Sequence, residues 1–213
     1  MKRTCIGITG YMGAGKSTVA RILSEISGWF PISLDLLGHE AYLDDGVREK
    51  VQCHFGSSVL HQNSAVNRKA IGKIVFHSEM EKKWLENLLW PVISKKTRKL
   101  ITTHKQCILD GVILFPSGLV KYCGCVLIVQ AQGPVLQERV QSKGVSEEQW
   151  KKILASQTSY LWKEYQDTPI LTVNNEGSYP ELVSALTLLW QERLQPLFDA
   201  EKSTKTRRVM GIE

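Results

Sequence analysis

The nine residues Gly10-Tyr11-Met12-Gly13-Ala14-Gly15-Lys16-Ser17-Thr18 are of the types, at the spacing, that hold phosphate. They fit G-x-x-x-x-G-K-[ST], the phosphate-binding P-loop. The glycines let the backbone turn tightly, so that successive N–H groups point inward at phosphate oxygens. Lys16 supplies a mobile positive charge for the β and γ phosphates, and the Ser17 hydroxyl is a hard oxygen ligand suited to Mg²⁺. The candidate phosphate-holding residues are therefore Gly10, Gly13, Ala14, Gly15, Lys16, Ser17 and Thr18. The alternative is a glycine-rich turn that happens to carry a lysine. Context favours the phosphate site. Residues 4–9 read as a short buried strand. Ser17 to Ser27 carries Val19, Ala20, Ile22, Leu23 and Ile26 at helical spacing, and Gly28 is a natural helix stop.

Phosphoryl transfer asks mainly for positioning and charge neutralisation. An acceptor hydroxyl also needs a carboxylate to orient it and take its proton. Asp35 is the candidate, because it follows a second strand-like run and should share the rim of the sheet with the P-loop. Its other reading is a helix N-cap before Leu36-Leu37-Gly38. Asp110, closing the run Cys107-Ile108-Leu109-Asp110, could hold a Mg²⁺-bound water or simply bond to loop amides. Arg139 and Lys143 are four apart on an expected helix and so share a face. Such a pair could close over a triphosphate and exclude water, or be solvated surface charge. Arg68 opens a helix after a polar loop and could grip an acceptor phosphate in bidentate fashion, or be an ordinary surface arginine. The five histidines have no partners at metal spacing, and Trp84, Trp90, Trp150, Trp162 and Trp190 fall in helical stretches where packing is their expected role.

The elements that must position these residues alternate along the chain. Strands are expected at Phe30–Leu34, Gln106–Leu114, Gly124–Gln130 and Ile170–Asn174. Helices are expected at Val47–Phe55, Lys69–Phe76, Met80–His104 with a kink or break at Pro91, Pro134–Lys143, Glu147–Gln157 and Tyr179–Gln195. Near-continuous apolar strands separated by helices indicate a parallel sheet covered on both faces, with ligands at the carboxyl ends of the strands.

At 213 residues the chain is long enough for one well-cored α/β domain. Its net charge of +6 fits a site for phosphate-rich ligands plus solvated lysines better than a nucleic-acid surface. Five cysteines, an odd number without ligand spacing, argue against a disulfide framework. Cys123-Gly124-Cys125 has no second pair to complete a metal set, so buried thiols are expected. Apolar runs are too short to span a membrane, and Met1-Lys2-Arg3-Thr4 leads straight into the first strand. The expectation is a cytoplasmic protein with no membrane and no nucleic-acid partner.

The ordered series Ile8-Thr9-Gly10…Gly13-Ala14-Gly15-Lys16-Ser17-Thr18-Val19-Ala20, Leu34-Asp35, Phe55-Gly56, Asn67-Arg68, Val75-Phe76, Leu85-Glu86…Trp90-Pro91, Leu109-Asp110, Gln137-Glu138-Arg139, Ser146-Glu147-Glu148, Gln157 and Val173-Asn174-Asn175-Glu176-Gly177 resembles the dephospho-coenzyme A kinase family, from about residue 4 to residue 194. The resemblance implies a five-stranded parallel sheet of the nucleoside-monophosphate-kinase type. It implies transfer of the ATP γ-phosphate, with Mg²⁺, to the ribose 3′-hydroxyl of dephospho-coenzyme A. Carried over by position, Asp35 would be the base on that hydroxyl, and Gly13 to Thr18 would hold the ATP phosphates. Arg139 would be the lid arginine, Arg68 would bind the acceptor, and Asn175 would lie near the adenine. The implied layout is one domain over residues 1–200. Its core is near 1–35, 105–132 and 168–196, its helical substrate-binding insert is near 36–104 and its lid near 133–167. A basic, flexible tail at 201–213 would carry Lys202, Lys205, Arg207 and Arg208. Several positions depart from the family pattern: Asn67 stands for Asp, Trp90 for His, Pro116 for Glu, Lys143 for the second lid arginine, and Thr168-Pro169 for Ala-Asp. The departures gather on the acceptor side. They leave open a P-loop kinase for another small-molecule hydroxyl, or a nucleotide-binding module without catalysis. Oligomeric state is not legible in the sequence.

Overall fold

The structure is a computed structural model that describes residues 3–161 and 168–200. The chain divides into two compact units, one made of the chain up to Ser33 and from Ile101 onward, the other of Leu34–Leu100.

The first unit is built on five parallel strands: β1 (Cys5–Gly10), β2 (Phe30–Ser33), β3 (Cys107–Asp110), β4 (Cys123–Gln130) and β5 (Ile170–Asn174), in the order β2-β3-β1-β4-β5. The three central strands are buried almost throughout, as their uninterrupted apolar composition requires. Helix α1 (Lys16–Ser27) buries Val19, Ala20, Ile22 and Leu23 in the same core as Ile6, Ile8, Ile108 and Leu127. Each of the valine, isoleucine and leucine side chains, withdrawn from water, contributes about 1.5–3 kcal/mol.

The second unit opens with α2 (Leu34–Ala41); α3 (Asp45–Phe55), α4 (Arg68–His77) and the greater part of α5 (Glu79–His104) then surround a smaller core of Val47, Val51, Val59, Ile71 and Leu85. The His54 ring stacks on Trp84 at 3.8 Å and also meets Glu81.

After α5 the first unit resumes. Helices α6 (Gly133–Gln141) and α7 (Glu147–Leu161) follow β4, and both join its core through Leu136, Val140 and Trp150. Helix α8 (Tyr179–Leu189) is opened by a capping box in which Ser178 accepts from the Glu181 amide while Glu181 accepts from the Ser178 amide.

Helix α5 runs without a break through Pro91; both Pro91 and Asn87, whose carbonyl loses its partner, lie on the exposed side. Three expectations are corrected. The strand expected over Gln106–Leu114 stops at Asp110. Gly111 turns the chain, its amide bonding the Ile8 carbonyl, and Leu114 is buried against Gly7 from a turn instead. Helix α6 ends at Gln141, so Lys143 lies in the following turn, exposed, and does not share a helical face with Arg139. The closing helix is regular only to Leu189 and then widens into a π turn over Trp190–Leu194, where the Trp190 ring meets Trp29 edge-on at 5.6 Å. Of the expected features, Trp162 and the basic tail lie outside the described residues.

Cys5, Cys107, Cys123 and Cys125 are buried free thiols, and Cys53 is exposed. Burial pushes the Cys125 thiol up to about 12, which keeps it protonated and inert.

Candidate active site

Strand β1 delivers the chain to the carboxyl edge of the sheet, and the P-loop lies between it and α1. Two glycines there resist replacement. Gly10 has φ +147°, and an added Cβ would stand 2.2 Å from the Val129 carbonyl oxygen of the neighbouring strand. Gly15 has φ +91° at the N-cap of α1, and an added Cβ would stand 2.1 Å from the Asn175 side-chain nitrogen. The loop therefore takes its shape from local backbone freedom and from close approach by distant segments.

Those segments also supply its polar contacts. The Ser17 hydroxyl donates to Asp110 Oδ2 at 2.7 Å, and Asp110 is buried at the end of β3. Parallel register, which pairs Ile8 with Asp110, brings this carboxylate beside the loop. Asn175 Nδ2 donates to the Ala14 carbonyl at 2.8 Å, and its backbone amide donates to Gln130. Arg139 donates in turn to the Asn175 carbonyl at 2.9 Å. Lys16, largely buried, folds back so that Nζ donates to the Tyr11 carbonyl at 3.2 Å.

The sheet unit thus brings together Gly10, Gly13, Ala14, Gly15, Lys16, Ser17 and Thr18 with Asp110, Asn175 and Arg139. Ser17 and Asp110 form a pair of hard oxygen donors beside the loop, a set of the chemistry that Mg²⁺ selects. Sequence reasoning missed one contact: the Gln157 side-chain oxygen on α7 accepts from the Met12 amide at 2.9 Å. Nothing in the spacing of Gln157 and Met12 along the chain announces it.

Asp35 and Arg68 belong to the helical unit. Asp35 is the second residue of α2, exposed, and therefore lies within the first turn of the helix rather than at its cap. A carboxylate there is favoured by the helix dipole. Arg68 is the first residue of α4 and exposed, and Asn67 caps that helix by accepting from the Ala70 amide at 3.1 Å. The Tyr42 hydroxyl is pushed up to about 12 by burial and drawn partly back by the guanidinium charge of Arg68.

Strand order, a glycine loop between the central strand and its helix, and a Lys-Ser-Thr start to that helix define a P-loop nucleotide-binding fold. The dephospho-CoA kinase family model matches residues 4–181, and the chain belongs to that family. Among curated relatives, the dephospho-CoA kinase of Legionella pneumophila (strain Lens) is 32% identical, covering 89% of this chain and 95% of its own. That of Aquifex aeolicus is 30% identical, covering 90% and 97%. Among solved structures, a Thermus thermophilus protein superposes with a TM-score of 0.69 at 25% identity, covering 91% of this chain and 99% of that one. The Campylobacter jejuni dephospho-CoA kinase, at 22% identity and a TM-score of 0.57 over 89% and 96%, shares the fold.

Proposed function

We propose that this chain transfers the γ-phosphoryl group of ATP to the ribose 3′-hydroxyl of dephospho-coenzyme A, giving coenzyme A and ADP. The observation that carries the reading is the assembled donor half, with Ser17 and Asp110 in contact beside the loop and Lys16 folded over it, in a member of this family. The loop amides and Lys16 would bind the β and γ phosphates, the ammonium exchanging the Tyr11 carbonyl for phosphate oxygens. Ser17 and Asp110 would hold Mg²⁺, which when bound neutralises phosphate charge. In the transfer, a bond forms between the acceptor 3′-oxygen and the γ-phosphorus while the bond from that phosphorus to the β–γ bridging oxygen breaks. Asp35 would take the hydroxyl proton. Arg68 would grip the acceptor. Arg139, held by the Asn175 carbonyl, would stabilise charge on the triphosphate, and Asn175 would border the nucleotide base. Segment 133–167 would act as the lid and 34–100 as the acceptor-binding region. The Asp-to-Asn departure at position 67 leaves the cap of α4 in place, because an amide oxygen caps as well as a carboxylate. The proposed compartment is the cytoplasm, where free thiols persist.

The test is ADP release by the purified protein from Mg·ATP with a panel of acceptors. Rapid release with dephospho-coenzyme A is the expected result. Release with a different hydroxyl acceptor and none with this one, or ATP binding without release, overturns the reading.

A further inference from the structure

The amide of Met12 is not available to a phosphate. It lies in the outer half of the P-loop and is committed to Gln157 on α7, at 2.9 Å. One residue on, Thr158 meets the Tyr11 hydroxyl at 3.2 Å. Two successive α7 residues therefore hold two successive loop residues, across 145 and 147 positions of chain. Gln157 is 7% exposed, so its bond is shielded from competing water and its loss would strand a donor beside the loop. The inner half of the loop is held separately by Asn175 at the Ala14 carbonyl. The two anchors are joined behind the loop. Trp150 of α7 and Val140 of α6 share the core, and Arg139 of α6 donates to Asn175. Loop, α7, α6 and the segment after β5 thus form a closed circuit of contacts.

We infer that Gln157 is a positioning residue that links the seating of α7 to the phosphate-binding shape of the P-loop. With α7 seated, the Met12 amide is turned away and the inner amides keep the curvature that phosphate needs. With α7 displaced, the outer loop loses its anchor and phosphate must restore the shape by itself. By reciprocity, phosphate in the loop holds α7 down as strongly as α7 holds the loop. Gln157 touches neither substrate and acts only through the Met12 backbone. The inference rests on the ATP reading of this loop.

The test compares wild type with Gln157→Leu, which removes the acceptor atom at similar size, and Gln157→Asn, which keeps the amide but withdraws it by one methylene. Mg·ATP affinity is measured by calorimetry, acceptor KM by steady-state kinetics, and protection of α7 by hydrogen exchange with and without Mg·ATP. Both variants should bind Mg·ATP about tenfold more weakly, equivalent to about 1.4 kcal/mol. The acceptor KM should stay within about twofold. The ATP-dependent protection of α7 should be lost, while the unliganded protein stays folded with a melting temperature lowered by only a few degrees. A folded variant with unchanged ATP affinity and unchanged ATP-dependent protection overturns the inference. If Gln157→Leu does not fold, Gln157→Asn decides alone. Wild type that fails to bind Mg·ATP overturns the ATP reading instead, so the two failures are distinguishable.

Discussion

In the sheet unit, the phosphate loop is held by side chains from three segments at least 93 residues away: Asp110, Gln157 and Asn175. In the helical unit, Asp35 and Arg68 occupy the first turns of their helices and face solvent. The difference fits what each region is proposed to bind. A phosphate group is small and compact, so a fixed ring of amides can be prepared for it before it arrives. The proposed acceptor is long and flexible, and the groups that would meet it remain free to adjust. Substitutions in the first region should therefore act on ATP binding, and those in the second on turnover or acceptor affinity.

The largest effect should come from Asp35→Asn. Losing a general base lowers turnover by about 10²–10⁴-fold, with Mg·ATP affinity unchanged by calorimetry. Near-wild-type turnover would remove Asp35 from the chemistry and with it the division of labour. Gly15→Ala should do the opposite. The left-handed backbone and the Asn175 contact at 2.1 Å both oppose a Cβ, so Mg·ATP affinity should fall about 100-fold, while dephospho-coenzyme A binding persists. Unaltered nucleotide binding would show that the loop is less fixed than its contacts imply. Arg68→Ala should raise the KM for dephospho-coenzyme A about tenfold and leave that for ATP in place. An effect on ATP instead would break the comparison. Ser178→Ala should touch neither substrate and cost only about 1 kcal/mol of stability in denaturant titration. The same variant tests a pH effect. The Ser178 amide and hydroxyl hold Glu181 below the usual carboxylate range. Its stabilising contribution is therefore present above the unfolded glutamate pKa and lost as pH falls through the lower folded value. Removing the hydroxyl should flatten that acid dependence.

Much of the donor half was legible from residue types. Glycine at positions 10, 13 and 15 followed by Lys-Ser-Thr announces a phosphate loop because no other residues tolerate those backbone angles and supply those groups. The apolar runs of β1, β4 and β5 and the glycine after α1 were legible for the same local reason. The run after Asp110 was not. Val112-Ile113-Leu114 has the composition of a strand, and only the space over Gly7 decides that Leu114 fills it from a turn. Lys143 misled because periodicity continues past the point where the helix ends at Gln141.

The sequence by itself determined the phosphate chemistry, the parallel α/β fold and the family, because these rest on local backbone preference, apolar periodicity and motif order. Tertiary structure alone decided which side chains lock the loop: that Asp110 meets Ser17, that Asn175 fills the space beside Gly15, and that Gln157 takes the Met12 amide. Contacts across 93 to 161 residues leave no periodic trace, since chain separation carries no information about distance once strands pair in parallel and helices cross back over the sheet.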